Sequence, residues 1–319
     1  MKKEKILVTG GSGFLGTNFL IKINKNKYII KSTYLSKKSF FRVPNVKYFK
    51  INLENKRNCY KMCKGIEKVV MFAANSSGAG VMQNNPLIHF NPNIIMNINM
   101  LEAAYFSGVK QFIFISSNTV YPESENKMRE EDVNNIFFEK YFIVAWMKRF
   151  TEIACSIYSK KLNNKMRTIV IRPGNIYGPH DKFDNKTSKV IPALIKKILS
   201  KKNPLEVWGD GNDIKDFLYV DDFVNGLLKV ISKCKKDHEV INIASGKKIT
   251  IKKIIKIIFN ILKYKLDIFY DKSKPSMIPI RSINIRKSIR EYSFFAEVEI
   301  REGLKKTIDW YFKKNNFKK

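Results

Sequence analysis

The sequence predicts an α/β protein: a doubly wound parallel sheet followed by a smaller C-terminal domain. Three observations predict it. The first is Ile6-Leu7-Val8-Thr9-Gly10-Gly11-Ser12-Gly13-Phe14-Leu15-Gly16, an apolar strand that stops at a glycine cluster and gives way to helical spacing. The second is the alternation behind it, in which near-continuous apolar runs follow amphipathic ones, as strands buried on both faces require. The third is a change of character in the second half, where elements shorten and turns crowd, as at Asn203-Pro204 and Gly209-Asp210-Gly211.

The glycine turn comes first. Gly11-x-Gly13-x-x-Gly16 and Gly10-x-x-Gly13-x-x-Gly16 coincide there. Glycine lets the turn be tight, lets the backbone approach a pyrophosphate and lets the helix pack on its strand. The helix then opens its free amides and positive dipole end to phosphates. The stretch Gly10, Gly11, Ser12, Gly13, Phe14, Leu15, Gly16 is therefore the candidate phosphate cradle of a Rossmann-type sheet. The second strand, Tyr28 to Tyr34, runs into Ser36-Lys37-Lys38, and no Asp or Glu lies between Lys5 and Leu53. An acid there would hold a ribose 2′-hydroxyl and repel a 2′-phosphate; Lys37 and Lys38 would bind one. NADP is expected as cofactor, with NAD possible.

Further along, Val46 to Ile51 reads as a short strand and Lys68 to Ala74 as an apolar one ending in Ala73-Ala74. Asn91 to Ser107 has Ile94, Ile98, Leu101 and Tyr105 at helical spacing, and Gly108 stops it. Gln111 to Ile115 is a buried strand that delivers Ser116 and Ser117 to its carboxyl end. A long helix over Trp146 to Lys161 precedes a strand over Thr168 to Arg172, which Pro173-Gly174 ends. Residues 1–172 thus form the expected NADP-binding domain, rejoined by a segment at about 212–234 containing a helix from Asp221 to Ser232. Residues 173–319 form the expected substrate-binding domain. Ligands of such a sheet sit at the strands' carboxyl ends.

The chain of 319 residues is 44% hydrophobic, enough for a large core, and carries a formal charge of +32. Its lysines are scattered through every segment, which describes a solvated basic surface; no specific nucleic-acid partner is expected. The four cysteines show no metal-ligand spacing, Cys59-x-x-x-Cys63 having no partner pair, so no metal and free thiols in a reducing cytoplasm are expected. No apolar run would span a membrane. Ile251 to Leu262 is rich in isoleucine, but Lys252, Lys253 and Lys256 interrupt it as in an amphipathic helix.

Further motifs carry a resemblance. They are Ser116-Ser117-Asn118-Thr119-Val120-Tyr121, Arg172-Pro173-Gly174-Asn175-Ile176-Tyr177-Gly178-Pro179, and Trp208-Gly209-Asp210-Gly211 followed by Asp216-Phe217-Leu218-Tyr219-Val220-Asp221-Asp222. With the glycine turn, they resemble over nearly the whole chain the extended short-chain dehydrogenase/reductase family of nucleotide-sugar epimerases, dehydratases and reductases. Gly178-Pro179-His180-Asp181-Lys182-Phe183, Val190-Ile191-Pro192-Ala193-Leu194 and Lys274-Pro275 with Arg281 are similar to stretches of its GDP-L-fucose synthase branch. The resemblance implies that Ser117 hydrogen-bonds the substrate oxygen and that Asn93 supports the nicotinamide side. It implies further cofactor contacts at Asn52, Leu53, Ala73, Ala74, Lys148 and Pro173. On the substrate side it implies Thr119, Asn175, Lys189, Val190, Trp208, Lys215 and Arg281, with Asn175, Lys215 and Arg281 on a diphosphate. It also implies a homodimer paired through the helices at 91–107 and 146–161.

The pattern is broken at one place. The family's Tyr-x-x-x-Lys puts a phenol and an ammonium one turn apart on a helix face, so that the lysine lowers the tyrosine pKa while the tyrosine moves a proton at the sugar oxygen. Lys148 falls in the lysine slot, with Cys155 and Tyr158 at the expected distance beyond it. The tyrosine slot is Val144. Tyr141 is the nearest phenol; Ser117, Thr119 or a bound water are the other groups that could move the proton. The GDP-L-fucose synthases are similar but carry out 3,5-epimerisation with a cysteine and a histidine where this chain has Thr119 and Lys189. The expected function is an NADP-dependent nucleotide-sugar epimerase or 4-keto-sugar reductase acting on a nucleoside-diphosphate sugar. The alternative is a non-catalytic protein that binds NADP and a nucleotide sugar after losing the tyrosine.

Overall fold

The computed structural model describes residues 3–36, 40–76, 85, 87–184, 187–274 and 278–315. Lys37, Lys38 and Pro275 lie outside the described residues. The strands are β1 (Glu4–Thr9), β2 (Tyr28–Tyr34), β3 (Val46–Lys50), β4 (Lys68–Met71), β5 (Gln111–Ile115), β6 (Arg167–Pro173), β7 (Asn175–Tyr177), β8 (Leu205–Trp208), β9 (Ile214–Lys215), β10 (Phe217–Tyr219), β11 (His238–Ile243), β12 (Ile249–Thr250) and β13 (Ile268–Asp271). The α-helices are α1 (Phe14–Lys22), α2 (Lys56–Cys63), α3 (Leu87–Phe106), α4 (Phe142–Lys160), α5 (Val190–Leu199), α6 (Val220–Lys233), α7 (Ile251–Leu262), α8 (Arg286–Tyr292) and α9 (Ile300–Lys314).

Seven strands form one sheet in the order β3-β2-β1-β4-β5-β6-β11, and every pairing in it is parallel. The order of the first six is that of two mononucleotide-binding halves, with the crevice at the reversal between β1 and β4. Three short two-stranded pairs stand outside it: β7 with β10, β9 with β12, and β8 with β13. The edge strand β11 pairs with β6 and comes from beyond the 212–234 stretch, so the return to the main sheet runs past helix α6.

Side chains leave the strands on alternate faces, and both faces are covered. Ile6 and Val8 of β1 join Phe19 and Leu20 of α1 in one core. Leu7 between them joins Met100 and Leu101 of α3 in the other. Ile113 and Ile115 of β5 side with the first core, Phe112 and Phe114 with the second. The amphipathic helix at 251–262 forms as its spacing predicts, burying Ile251, Ile254, Ile255 and Ile258. All four cysteines are free and buried, and burial pushes the thiols of Cys59 and Cys63 up to about 12. Among the described residues no helix is long and apolar enough to cross a membrane.

Helix α4 is anchored by a buried ion pair. Glu152 accepts from Arg172 of β6 through Nε at 2.9 Å and Nη2 at 2.7 Å, with side-chain exposures of 1% and 2%. Glu152 also accepts from Ser116, just past β5, at 2.5 Å and from Arg149 at 3.1 Å. Arg172 Nη1 donates to the Glu130 carbonyl and to Tyr121 Oη, and Tyr121 donates to Asn242 of β11. Removing one partner of such a pair leaves the other charge buried and uncompensated. Arg172→Met is expected to cost roughly 3–5 kcal/mol, read as a lower urea midpoint. Adding Glu152→Gln to it should recover part of that loss, because the two residues are coupled.

Candidate active site

The phosphate turn takes the shape its glycines predict. Gly10 sits at φ 67°, and a Cβ there would lie 2.8 Å from the backbone of Ala73. A Cβ on Gly11 would strike Ser32 Oγ, and one on Gly16 the Gly10 carbonyl. The Gly10 carbonyl accepts from Gly13 N at 2.9 Å, and Gly11 N donates to the Thr33 carbonyl, which fixes the turn against β2. Gly13 caps α1 without a side-chain acceptor, so the first amides of the helix face outward for a ligand. A pyrophosphate fits this cradle by the donor chemistry and by the absence of a Cβ at Gly10, Gly11, Gly13 and Gly16.

Across the crevice, β4 ends at Met71, earlier than the 68–74 run suggests. Ala73 then donates its amide to Thr9 Oγ1 at 3.1 Å, and Ala74 is exposed. The following turn is tied to α3. That helix begins at Leu87, ahead of the expected Asn91, and carries Pro92 inside it. Pro92 has no N–H, so the Ile88 carbonyl lacks its helical donor; Asn75 Nδ2 donates to it at 2.9 Å. Asn93 then takes the Asn75 amide on Oδ1 and donates to the Asn75 carbonyl. Its side chain is thereby spent on holding the loop. Asn52 turns its side chain to the Glu54 amide, and the buried Leu53 offers its carbonyl to Cys59 and Asn99.

At the carboxyl end of β5, Ser117 caps a 3-10 turn over Asn118–Val120, and its Oγ accepts from the Thr119 amide at 3.1 Å. Thr119 Oγ1 is buried with no hydrogen-bond partner among the described residues. Lys148 on α4 reaches the same place. Its Nζ donates to the Ile115 carbonyl at 2.8 Å and lies 4.9 Å from the Phe114 ring centroid. Burial pushes its ammonium down to about 8, with Glu152 opposing and Lys189 adding to the fall. Val144 precedes it by one turn on the same helix. Helix α4 starts at Phe142, four residues before the expected Trp146, with Tyr141 as its cap.

The second half supplies the cations. Arg281 is 3% exposed; Nη1 donates to the Asn118 carbonyl, while Nε and Nη2 have no partner among the described residues. Burial pushes it down to about 10. Lys215 bonds Asp213 at 3.1 Å and also donates to the Ile278 carbonyl. Asn175 Nδ2 donates to the Asp216 carbonyl at 3.1 Å. Pro173 is buried at the end of β6, one residue before Gly174, whose amide bonds Ile243 of β11. Lys189 is exposed at the cap of α5 and Val190 opens that helix. Trp208 is exposed on β8, with Nε1 donating to Glu206. Two residues that the sequence reading passed over belong here. Asp181 is buried with Oδ2 unpartnered among the described residues, burial raising its carboxyl against the nearby Lys189. Asp216 is fully buried and takes three bonds from Ser245 and Gly246, yet burial still lifts it to about 6. Each lies inside a motif read from the sequence, but only the fold shows its burial.

The model of the family described as the NAD dependent epimerase/dehydratase family matches residues 6–244. The chain belongs to that family. It is 27% identical to the GDP-L-colitose synthase of Yersinia pseudotuberculosis, over 98% of this chain and 99% of that protein. It is 31% identical to a GDP-L-fucose synthase of Sinorhizobium fredii, over 69% and 71% of the two chains. In fold it matches UDP-glucose 4-epimerase of Thermotoga maritima with a TM-score of 0.87 at 24% identity, covering 98% and 99%. An NAD(P)-dependent enzyme of the nucleotide-sugar epimerase/reductase type is what this membership makes it.

The glycine cradle leaves no room for a side chain at Gly10 or Gly16. Gly10→Ala places a side chain at positive φ and against the Ala73 backbone, and Gly16→Ala drives one into the Gly10 carbonyl. Both should lower nicotinamide-dinucleotide affinity at least about tenfold, a loss of roughly 1.4 kcal/mol, in a fluorescence titration. Gly108→Ala also has positive φ, 75°, but open space around it. It should lower stability by about 1 kcal/mol and leave the titration unchanged.

Proposed function

We propose that this protein is an NADPH-dependent 4-keto-reductase of a nucleoside-diphosphate sugar, with a GDP sugar the first to test. The observation that supports it most is the buried Arg281, beside the Ser117–Thr119 turn, whose Nε and Nη2 lack acceptors among the described residues. A diphosphate is an acceptor set of the right charge for a guanidinium fork. Lys215 and Asn175 are the further diphosphate contacts in this reading, with Thr119, Lys189, Val190 and Trp208 lining the sugar and base. GDP is chosen because the colitose and fucose synthases that match carry it in their names.

The dinucleotide would be held by Gly10 to Gly16 at the pyrophosphate, by Asn52 and Leu53, Ala73 and Ala74 and Pro173 along the crevice, and by Lys148 at the nicotinamide ribose. Asn93 serves it through the Asn75 loop. When bound and reduced, the group supplies a hydride. The chain's part is to orient the sugar carbonyl with Ser117 and to provide the proton. NADP is preferred in this reading because no acid stands after β2, and Lys37 and Lys38 follow it. Thr119 and Lys189 stand where the resemblance implies a cysteine and a histidine for 3,5-epimerisation, which favours reduction without it.

The deciding experiment incubates the protein with GDP-, UDP-, dTDP- and CDP-linked 4-keto sugars and either reduced dinucleotide, following cofactor absorbance and identifying the sugar formed. Consumption of NADPH faster than NADH with one nucleotide series is the expected result. Interconversion of 4-epimers without net cofactor consumption would make the protein an epimerase instead. Binding without turnover of any sugar would leave only a sensor.

The partner we propose besides substrate is a second copy. Helix α4 exposes Phe142, Trp146, Phe150, Ile153 and Ile157, a stripe at spacings of three and four along one face. Its packed neighbour α3 exposes Ile88, Ile95 and Phe106. Two helices from each copy would make an isologous four-helix contact. Sedimentation at micromolar protein should show a dimer, and Phe150→Glu with Ile153→Glu should yield a monomer.

A further inference from the structure

Tyr141 closes a 3-10 turn over Glu139–Tyr141 and caps α4 at φ −109°, ψ 0°, off the helical track. Over its ring lies the guanidinium of Arg281, 5.8 Å from the centroid. Arg281 also donates to the Asn118 carbonyl, between Ser117 and Thr119. Tyr141 therefore belongs to the cluster at the carboxyl end of β5, although it stands seven residues before Lys148. Asp213, paired with Lys215 at 3.1 Å, completes the charges around it, and the Phe138 ring lies 6.3 Å away. Two features of this cluster await a ligand: the Nε and Nη2 of Arg281 and the Oγ1 of Thr119, all buried and without partners among the described residues. Unmade bonds at buried polar groups are costly, and an incoming acceptor removes that cost.

We propose that Tyr141 is the proton donor to the sugar oxygen, held in place by Arg281 in the role that a lysine on the same helix would otherwise fill. The inference rests on the reductase reading above. Val144 vacates the usual phenol position, and Lys148 spends a bond on the Ile115 carbonyl. Seven residues of helix put Tyr141 about 10 Å from Lys148 along the axis, too far for direct contact. Arg281 brings a cation from the other half of the chain to the phenol's face, where cation–π attraction holds both. The step balances. Hydride from a reduced nicotinamide dinucleotide adds to the carbonyl carbon, the C=O π pair moves onto the oxygen, and the Tyr141 O–H bond breaks as its proton joins that oxygen. The tyrosinate left behind faces Arg281 until solvent reprotonates it. Burial raises the phenol above its ordinary value, Arg281 opposing and Asp213 adding to the rise, so the donor form is the one present at neutral pH.

Two measurements test this. Tyr141→Phe should lower kcat roughly a hundredfold while KM for the sugar and affinity for the dinucleotide stay within about twofold, because the phenyl ring keeps its packing. Unchanged kcat overturns the proposal. The second measurement needs no cofactor. Tyrosinate absorbance is titrated in the wild type and in Tyr141→Phe, and the difference isolates this phenol. In Arg281→Gln its midpoint should rise by about one pH unit, and in Arg281→Lys, which keeps the charge, by less. A midpoint that ignores Arg281 overturns the pairing. If the wild type reduces no nucleotide sugar, the function reading fails by itself, and the titration still decides: a responsive phenol keeps Tyr141 as donor to another carbonyl substrate, an unresponsive one removes it.

Discussion

Glu152 and Arg172 meet in the interior with almost no exposure to water, and the geometry of the site follows from that meeting. Helix α4 could slide or roll on the sheet if only apolar contacts held it. The carboxylate fixes it by taking two guanidinium bonds from β6 and a hydroxyl bond from Ser116. Glu152 is one turn beyond Lys148, so anchoring the first sets the height of the second. The same arginine reaches back to Glu130 and Tyr121, and Tyr121 reaches Asn242 on the edge strand. Helix α4, strand β6 and the edge strand β11 are thus held in one register at the carboxyl end of the sheet. A buried pair of this kind adds little net stability over an apolar substitute; what it supplies here is position.

The opposite wall of the crevice uses a different device. Pro92 frees a carbonyl inside α3, and Asn75 fills the gap and is in turn gripped by Asn93. Polar bonds with a fixed number of partners set the loop after β4 at a definite distance from Gly10. A glycine turn works only if its surroundings come close, and Ala73 does so within 2.8 Å of where a Cβ would be. The cradle and the loop therefore define each other.

Most of this was legible where the signal is local. The glycine turn, the apolar strands at 6–9 and 111–115 and the lysine-interrupted helix at 251–262 form where their periodicity puts them. The order of the sheet follows from parallel crossovers and the fingerprint at β1. Boundaries slipped where tertiary contacts decide: Pro92 sits inside α3 because Asn75 rescues the freed carbonyl, and no sequence window contains both. Strand β11 was not read because Glu239 interrupts its apolar pattern; in the fold that carboxylate is buried against Lys236, Lys287 and Tyr292. The contact of Arg281 with Tyr141 joins positions far apart in the chain, and only the folded structure carries it.

One substitution, valine at position 144, separates this chain from the Tyr-x-x-x-Lys pattern, and the surroundings show what it leaves behind. Lys148 bonds the Ile115 carbonyl, Ser117 caps the turn that follows, and Glu152 pairs with Arg172. The Lys148 ammonium is held at the end of β5, where burial acts against its charge. Arg281 is held with two nitrogens unpartnered among the described residues, and each unmade bond in the interior costs on the order of 1–3 kcal/mol until an acceptor arrives. That stored cost is returned only on binding an anion beside the Ser117–Thr119 turn. Binding energy spent there, away from the reacting carbon, can orient a carbonyl and bring a phenol to it. The cation that usually assists the phenol from within the same helix can be replaced by one from the substrate side if a phenol stands close to it; under the proposal Tyr141, at the cap of α4 with Arg281 over its ring, is that phenol.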